Sequence, residues 1–253
     1  MSLEYAPRGL VGMLTPQANT TAEPEFNILW PRGVAMITGR LMSDKNALND
    51  RLVDYFASYD QALKQFANAP IGVAAAACTG ASYLAGRERE ASVIAEISSR
   101  RGHPFITAAM AVADALRVLD AHRIGLVSPY SDDLDRASVT YWQAHGFEVA
   151  ELVSAVTRSG TFHPIYSLDG SAALAALHTL YGKPLDAIVM LGTGMPTLRP
   201  IMETIGWSGA PIMSSNLCLA WRVVQALERR SPDASTLASW LNGDGWVDRL
   251  KAC

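Results

Sequence analysis

The stretch Ile71–Gly86, IGVAAAACTGASYLAG, decides the fold of this chain. Its first half is apolar without polar alternation and is too short to span a membrane, which is typical of a parallel strand buried on both faces. Cys78 stands where the predicted strand ends, and Thr79 and Gly80 lead into a helix. Ligands of open parallel sheets bind beyond the carboxyl ends of the strands. A thiol there, beside the N–H groups of a turn, is predicted to have a lowered pKa and raised reactivity. The alternative is a buried, inert cysteine.

A second stretch, Ala187–Met195, repeats the pattern as AIVMLGTGM. It places Gly192-Thr193-Gly194 where the first stretch has Cys78-Thr79-Gly80. The two tripeptides indicate equivalent turns in a duplicated fold. Only the first of these turns carries a thiol.

Composition narrows the class of protein. The 253 residues are 49% hydrophobic, which allows one large α/β domain or two small ones. The net charge of −3 and the lack of basic runs argue against nucleic acid as a partner. Three cysteines do not suggest a disulfide framework and fit a reducing cytoplasm. The N-terminus lacks the apolar region of a signal peptide, and no apolar run reaches membrane-spanning length. We therefore expect a cytoplasmic protein without a membrane partner.

Polar turns also follow other predicted strands. The loop containing Asn19 and Thr20 is either a strand-to-helix turn with an N-cap or an anion-binding loop. Tyr130 follows the strand Arg123–Ser128 and either packs or donates to a substrate. Between these turns, residues 45–68 have the periodicity of one helix. Strands alternating with helices predict parallel sheets, with the turns at one edge of each sheet.

Several common sites are absent from the sequence. It has no GxGxxG, Walker or GxSxG motif, so neither a nucleotide cofactor nor a serine nucleophile is indicated. The five histidines show no metal-ligand spacing, so no metal site is predicted.

Taken together, the turn sequences resemble those of the maleate cis-trans isomerases and the related arylmalonate decarboxylases, within the aspartate/glutamate racemase superfamily. The resemblance spans nearly the whole chain in the expected order. It rests on Leu14-Thr15-Pro16, Asn19-Thr20-Thr21, Glu23-Pro24-Glu25-Phe26, Cys78-Thr79, Tyr130 with the acidic pair after it, and Ser214-Ser215-Asn216 with Ala220-Trp221.

The resemblance implies two similar Rossmann-like half-domains with four-stranded parallel sheets, related by a pseudo-twofold axis. We expect residues 1–117 with 215–253 to form the first half and residues 118–214 the second. It further implies a cleft that holds a small carboxylate, no metal or organic cofactor, and a homodimer or higher homo-oligomer. Cys78 and Tyr130 are the implied catalytic residues. The implied substrate-binding residues are Asn19, Thr20, Thr79, Gly80, Gly192, Thr193, Gly194, Ser215 and Asn216.

The chain departs from the resemblance at one position. Racemases and maleate isomerases of this superfamily carry a cysteine in each half, and arylmalonate decarboxylases keep only the second. Here Cys78 is the first and Gly192 replaces the second. Cys218, near the start of a helix at the cleft edge, either compensates or is a buried helix residue.

Three functions remain open. The first is an isomerase of a small unsaturated dicarboxylate with Cys78 as thiolate nucleophile. The second is a one-cysteine decarboxylase of a malonate-type acid, or a related carbanion enzyme such as those of the ectoine-utilisation branch. The third is a carboxylate-binding protein without turnover. No Arg or Lys occupies the turns, so neutral donors are expected to hold the anion.

Overall fold

The computed structural model of the protein describes residues 3–155, 165 and 168–253. This part of the chain forms two four-stranded sheets, all of whose pairings are parallel. The predicted α/β fold is thereby confirmed. The strands are β1 (Gly9–Pro16), β2 (Val34–Leu41), β3 (Val73–Ala76), β4 (Phe105–Thr107), β5 (Arg123–Ser128), β6 (Glu148–Ser154), β7 (Ala187–Met190) and β8 (Ile212–Ser214).

The two sheets have the same topology. Their strand orders are β2-β1-β3-β4 and β6-β5-β7-β8, so β3 and β7 occupy equivalent places. The equivalence extends into the turns that follow these strands. The Ala77 amide donates to the Leu14 carbonyl at 2.8 Å, and the Leu191 amide donates to the Val127 carbonyl at the same distance. Cys78 and Gly192 are each the next residue, so they occupy corresponding positions.

Helices connect and cover the strands. Every residue of β3 and β7 is buried, as their apolar sequences predict. The helices are α1 (Ala22–Leu29), α2 (Leu48–Ala57), α3 (Tyr59–Ala62), α4 (Thr79–Ala85), α5 (Arg87–Arg101), α6 (Ala108–Val118), α7 (Asp132–Ala144), α8 (Gly170–Leu180), α9 (Leu198–Thr204), α10 (Ser215–Leu227), α11 (Ala234–Leu241) and α12 (Val247–Lys251).

The single helix predicted over residues 45–68 is wrong. The structure has α2 and α3 and then a 3₁₀ turn, Leu63–Phe66. The break falls at Ser58, whose hydroxyl donates to the Tyr55 carbonyl at 3.0 Å. A serine side chain that bonds the preceding turn offers the backbone an alternative to a continuous helix.

Two buried carboxylates connect the halves. Glu25 of α1 accepts from the backbone and hydroxyl of Thr197, which precedes α9. Glu90 of α5 accepts from the hydroxyl of Tyr141 in α7. After the second sheet, α10 packs on β3, β4 and α6. The division of the chain into residues 1–117 with 215–253 and residues 118–214 stays a prediction. Within the described residues, no helix has the length and apolar character needed to cross a membrane.

Candidate active site

Cys78 lies at the junction of β3 and α4, on the wall of a small cavity. The cavity has a volume of about 40 Å³. Only 3% of Cys78 is exposed, so access to its sulfur is narrow. The described residues that line the cavity are Pro16, Asn19, Leu48, Leu52, Cys78, Thr79, Gly80, Tyr130, Ile165, Thr193 and Gly194. The two halves both contribute, as the predicted cleft requires.

The predicted lowering of the thiol pKa is wrong for this site. Burial raises the pKa of Cys78 to about 12, although a hydrogen bond from the backbone N–H of Ala81 acts in the opposite direction. The thiolate is disfavoured because burial removes it from bulk water and none of the described lining residues is a cation. Cys78 therefore carries its proton at neutral pH, and any attack by its sulfur must be coupled to loss of that proton.

Tyr130 reaches the cavity from the second half. It follows β5, and its hydroxyl lies 2.7 Å from the Thr79 hydroxyl of the first half. Tyr130 is half-buried, and its ring meets the ring of Tyr83 edge-on at 6.2 Å. Two hydroxyls from opposite halves thus stand together beside Cys78. Such a pair can donate to an anion or exchange a proton with a substrate.

The hydroxyl of Thr193, a predicted substrate-binding residue, already has two hydrogen-bond partners. It donates to the Ala77 carbonyl at 2.7 Å and accepts from the Asn19 side-chain amide at 3.1 Å. A hydroxyl has one proton to donate, so this one is already used. Thr193 lines the cavity, but its hydroxyl chiefly joins the two halves directly behind Cys78.

Asn19 combines the two alternatives left open by the sequence. Its side-chain oxygen accepts from the Thr21 and Ala22 amides at 2.9 and 3.0 Å, as a residue capping α1 does. Its side-chain nitrogen lies across the cleft against Thr193. Asn19 also lines the cavity, so it is both a cap and a candidate ligand contact.

Four residues predicted to bind substrate are not among those lining the cavity. Thr20 is exposed beside α1, and Ser215 is buried with its hydroxyl against the Met190 carbonyl. Asn216 is fully buried, and its amide donates to Glu25 at 2.8 Å and to the Thr193 carbonyl at 3.2 Å. These contacts make Asn216 a support of the second turn. Gly192, the fourth, adjoins Tyr130.

Sequence reasoning missed the role of Glu25. Its carboxylate accepts from the Thr197 and Leu198 amides and from Asn216. Burial raises its pKa, and these hydrogen bonds act against that rise. A signal was present, because Ala22, Glu25, Phe26 and Leu29 are spaced as one buried stripe of α1. An acid within such a stripe indicates a buried partner.

A second missed feature is the pair Arg51 and Tyr55, which lie on the same face of α2. Both are buried, and the Arg51 guanidinium donates to the Lys45 carbonyl at 2.5 Å. Burial and the neighbouring Cys78 raise the pKa of Tyr55, whereas Arg51 lowers it. Arg51 directly precedes Leu52, which lines the cavity, and its positive charge acts on Tyr55. The i,i+4 spacing of the pair on the predicted helix was the available signal.

The other cysteines do not approach the cavity. Cys218 is fully buried in α10, where burial raises its pKa, and it is not a lining residue. It is therefore not the replacement for the second-half thiol. Cys253 is exposed near the end of the chain. In the part of the chain that the structure describes, no three His, Cys, Asp or Glu side chains are grouped to hold a metal ion.

Comparison with known proteins places this geometry in a family. The family model described as arylmalonate decarboxylase matches residues 11–238. The chain belongs to the arylmalonate decarboxylase family. Membership implies an enzyme, and it confirms the resemblance that the turn sequences carry.

The chain is also similar in sequence to maleate isomerases. The chain is 24% identical to the maleate isomerase of Geobacillus stearothermophilus in an alignment of 244 positions. This alignment covers 90% of this chain and 96% of the relative. The structure of a Pseudomonas putida S16 maleate isomerase variant with maleate is 22% identical and covers 93% of this chain and 98% of its own, with a TM-score of 0.80. A Nocardia farcinica maleate cis-trans isomerase variant with a covalently bound succinylcysteine intermediate is 23% identical and covers 87% and 93%, with a TM-score of 0.77. The likeness of the structures establishes the fold.

Proposed function

We propose that this protein is a cofactor-independent isomerase that converts a small cis-enedioate such as maleate into its trans isomer. The observation that carries the proposal is the position of the Cys78 thiol on a cavity shared by the two halves, beside the hydroxyls of Thr79 and Tyr130. The maleate isomerase relatives support the substrate class.

The first chemical step is addition of the Cys78 sulfur to one carbon of the double bond, while the thiol proton passes to a neighbouring oxygen. The carbon–carbon bond becomes single, rotation exchanges cis for trans, and expulsion of the sulfur restores the double bond. Negative charge develops on a carboxylate during addition. Thr79 and Tyr130 are hydrogen-bonded to each other, so one proton joins the pair and the other can be donated to this charge. One such donor typically contributes about 10²–10³ in rate. The succinylcysteine found in the Nocardia farcinica relative is an adduct of this type.

The size and polarity of the cavity support a small substrate. Its apolar walls, Leu48, Leu52 and Ile165, enclose a narrow space beside Cys78, which suits a small acid. The second carboxylate would be held by neutral donors, since no described lining residue is charged. The expected partner is thus a small dicarboxylate. A homodimer and a cytoplasmic location remain predictions.

A second candidate is a decarboxylase of a malonate-type acid. The observation that favours it is the burial of Cys78, which raises the pKa of the thiol to about 12 and makes it a proton donor at neutral pH. Loss of carbon dioxide from a malonate leaves an enediolate, and the thiol could deliver its proton to the carbon. The family description favours the same chemistry.

Proton NMR of the reaction separates these candidates. Wild-type protein and Cys78→Ala are incubated separately with maleate and with alkyl- and arylmalonates. Fumarate made from maleate by the wild type and absent with Cys78→Ala is the expected result. A monoacid made from a malonate would instead establish the decarboxylase. Binding of maleate, measured by calorimetry, without any product would identify a carboxylate-binding protein and overturn both enzymes.

A further inference from the structure

The second half of the duplicated fold has no side chain at the position that corresponds to Cys78, because Gly192 stands there. Gly192 corresponds to Cys78 in strand topology and in the hydrogen bond that fixes the preceding residue. The backbone of Gly192 has a φ of +83°, which side-chain-bearing residues rarely adopt. A Cβ built there would lie 2.9 Å from Pro129 Cγ and 3.2 Å from the Tyr130 hydroxyl oxygen. The position is therefore closed to a side chain, and the nearest functional group to it is the Tyr130 hydroxyl.

The described lining residues offer few proton carriers. They include no carboxylate, histidine, lysine or arginine. The Thr193 hydroxyl donates to the Ala77 carbonyl, which removes it from consideration. Cys78 and Tyr130 are then the two groups in that set with a titratable proton. They come from opposite sides of the cavity, and the Tyr130 hydroxyl lies 2.7 Å from the hydroxyl of Thr79, the residue that follows Cys78.

We propose that the Tyr130 hydroxyl replaces the missing second-half thiol and carries the proton that moves to and from the substrate carbon. This inference rests on the isomerase proposed above and assigns its second catalytic group. It extends the role of Tyr130 from holding a carboxylate to proton transfer at carbon.

The step balances without another reactant. The Cys78 sulfur forms a bond to one alkene carbon, and the π electrons of the double bond form a C–H bond at the other with the Tyr130 proton. The thiol proton passes to the Tyr130 oxygen, so the net change is addition of S–H across the double bond. Elimination reverses each transfer. No oxidant, reductant or metal is required.

This route has a consequence for isotope labelling. When the proton comes from one fixed oxygen, the carbon that receives it then bears the original hydrogen and the new one. Rotation that moves the carboxylate from cis to trans brings the original hydrogen to the Tyr130 oxygen. That hydrogen leaves, and the delivered one stays in the product. Rotation of an unprotonated enediolate, in contrast, adds no solvent hydrogen.

The test is a single turnover of maleate with excess enzyme equilibrated beforehand in D₂O, followed by mass spectrometry of the fumarate. We expect each fumarate from the wild type to carry one deuterium. Fumarate without deuterium would overturn the role of Tyr130 and leave the isomerase standing. Absence of fumarate would overturn the isomerase and this inference with it.

The variant Tyr130→Phe identifies the carrier. We expect turnover to fall by about 10²–10⁴, the usual contribution of a general acid, and the residual fumarate to lack deuterium. Residual fumarate that still carries one deuterium would show that another group delivers the proton. A loss greater than about 10⁴ would exceed what proton transfer supplies and would also overturn the assignment. Tyr83→Phe, which removes a neighbouring hydroxyl that does not line the cavity, is the control and should keep the label.

Discussion

Cys78-Thr79-Gly80 and Gly192-Thr193-Gly194 occupy equivalent places in the two sheets, yet their threonine hydroxyls have different partners. The Thr79 hydroxyl meets Tyr130 across the cleft. The Thr193 hydroxyl is bound to the Ala77 carbonyl and the Asn19 amide. The turn with the thiol therefore places its hydroxyl in a pair with another hydroxyl on the cavity wall. The turn without it uses the same group to hold the halves together.

The different partners of the two threonine hydroxyls follow from the residues that each turn contains. Each turn offers one side-chain position and one threonine hydroxyl. Once Gly192 removes the side chain from the second turn, that turn has no nucleophile to position. Its hydroxyl then stabilises the cleft at no cost to catalysis. The supporting contacts from Asn216 to the Thr193 carbonyl and from Thr21 to the Gly194 carbonyl are consistent with this.

The largest expected effect is at the first turn. Cys78→Ser should reduce maleate turnover by on the order of 10³-fold or more, since a serine hydroxyl is a far weaker nucleophile than a thiol. The measurement is the rate of fumarate formation. The matched control is Cys218→Ala, a buried cysteine away from the cavity, which should keep wild-type turnover. Loss of turnover in a folded Cys218→Ala protein would return Cys218 to the site.

Alkylation of Cys78 reports its environment directly. In a Cys253→Ser background, the rate of labelling by iodoacetamide should rise about tenfold per pH unit, because the thiolate stays the minor form well below a pKa of about 12. Between pH 6 and pH 9 the rise is then about 10³-fold. Peptide mass spectrometry locates the label. A rate that levels off near neutral pH would show that the turn lowers the thiol pKa after all.

The two threonines provide the direct comparison. Thr79→Val should lower kcat/KM by about 10²–10³, since it removes a hydroxyl beside Tyr130, and should cost less stability than Thr193→Val because its partner Tyr130 is only half-buried. Thr193→Val should instead lower the free energy of unfolding by about 1–3 kcal/mol, because it leaves the buried Ala77 carbonyl without its partner. Initial rates and urea unfolding measure both quantities. Equal loss of activity without loss of stability in Thr193→Val would mean that the second turn contacts substrate.

Much of this site was predictable because its signals are local. An apolar strand followed by Cys78-Thr79-Gly80 specifies both a buried parallel strand and the edge where a ligand binds. The partners of the polar groups were not predictable, because they come from distant parts of the chain. Thr193 bonds Ala77, and Asn216 bonds Glu25. The prediction of a lowered pKa for the Cys78 thiol was wrong for a related reason. Local turn amides lower it, but burial by both halves acts more strongly.

Gly192→Ala should reduce activity less than Cys78→Ser or Thr79→Val does. Together with a control glycine, it distinguishes the effect of backbone strain from that of crowding at Tyr130. Alanine at a φ of +83° costs about 1–2 kcal/mol, and contact with Pro129 adds to that cost. Gly206→Ala is the matched control, since its φ is +89° and no heavy atom lies within 4 Å of the built Cβ. We expect both variants to lose stability in urea unfolding. Only Gly192→Ala should also lose turnover, by at most about 10²-fold, because its methyl group displaces the Tyr130 hydroxyl. Equal turnover in the two variants would show that the position of this hydroxyl does not limit the reaction.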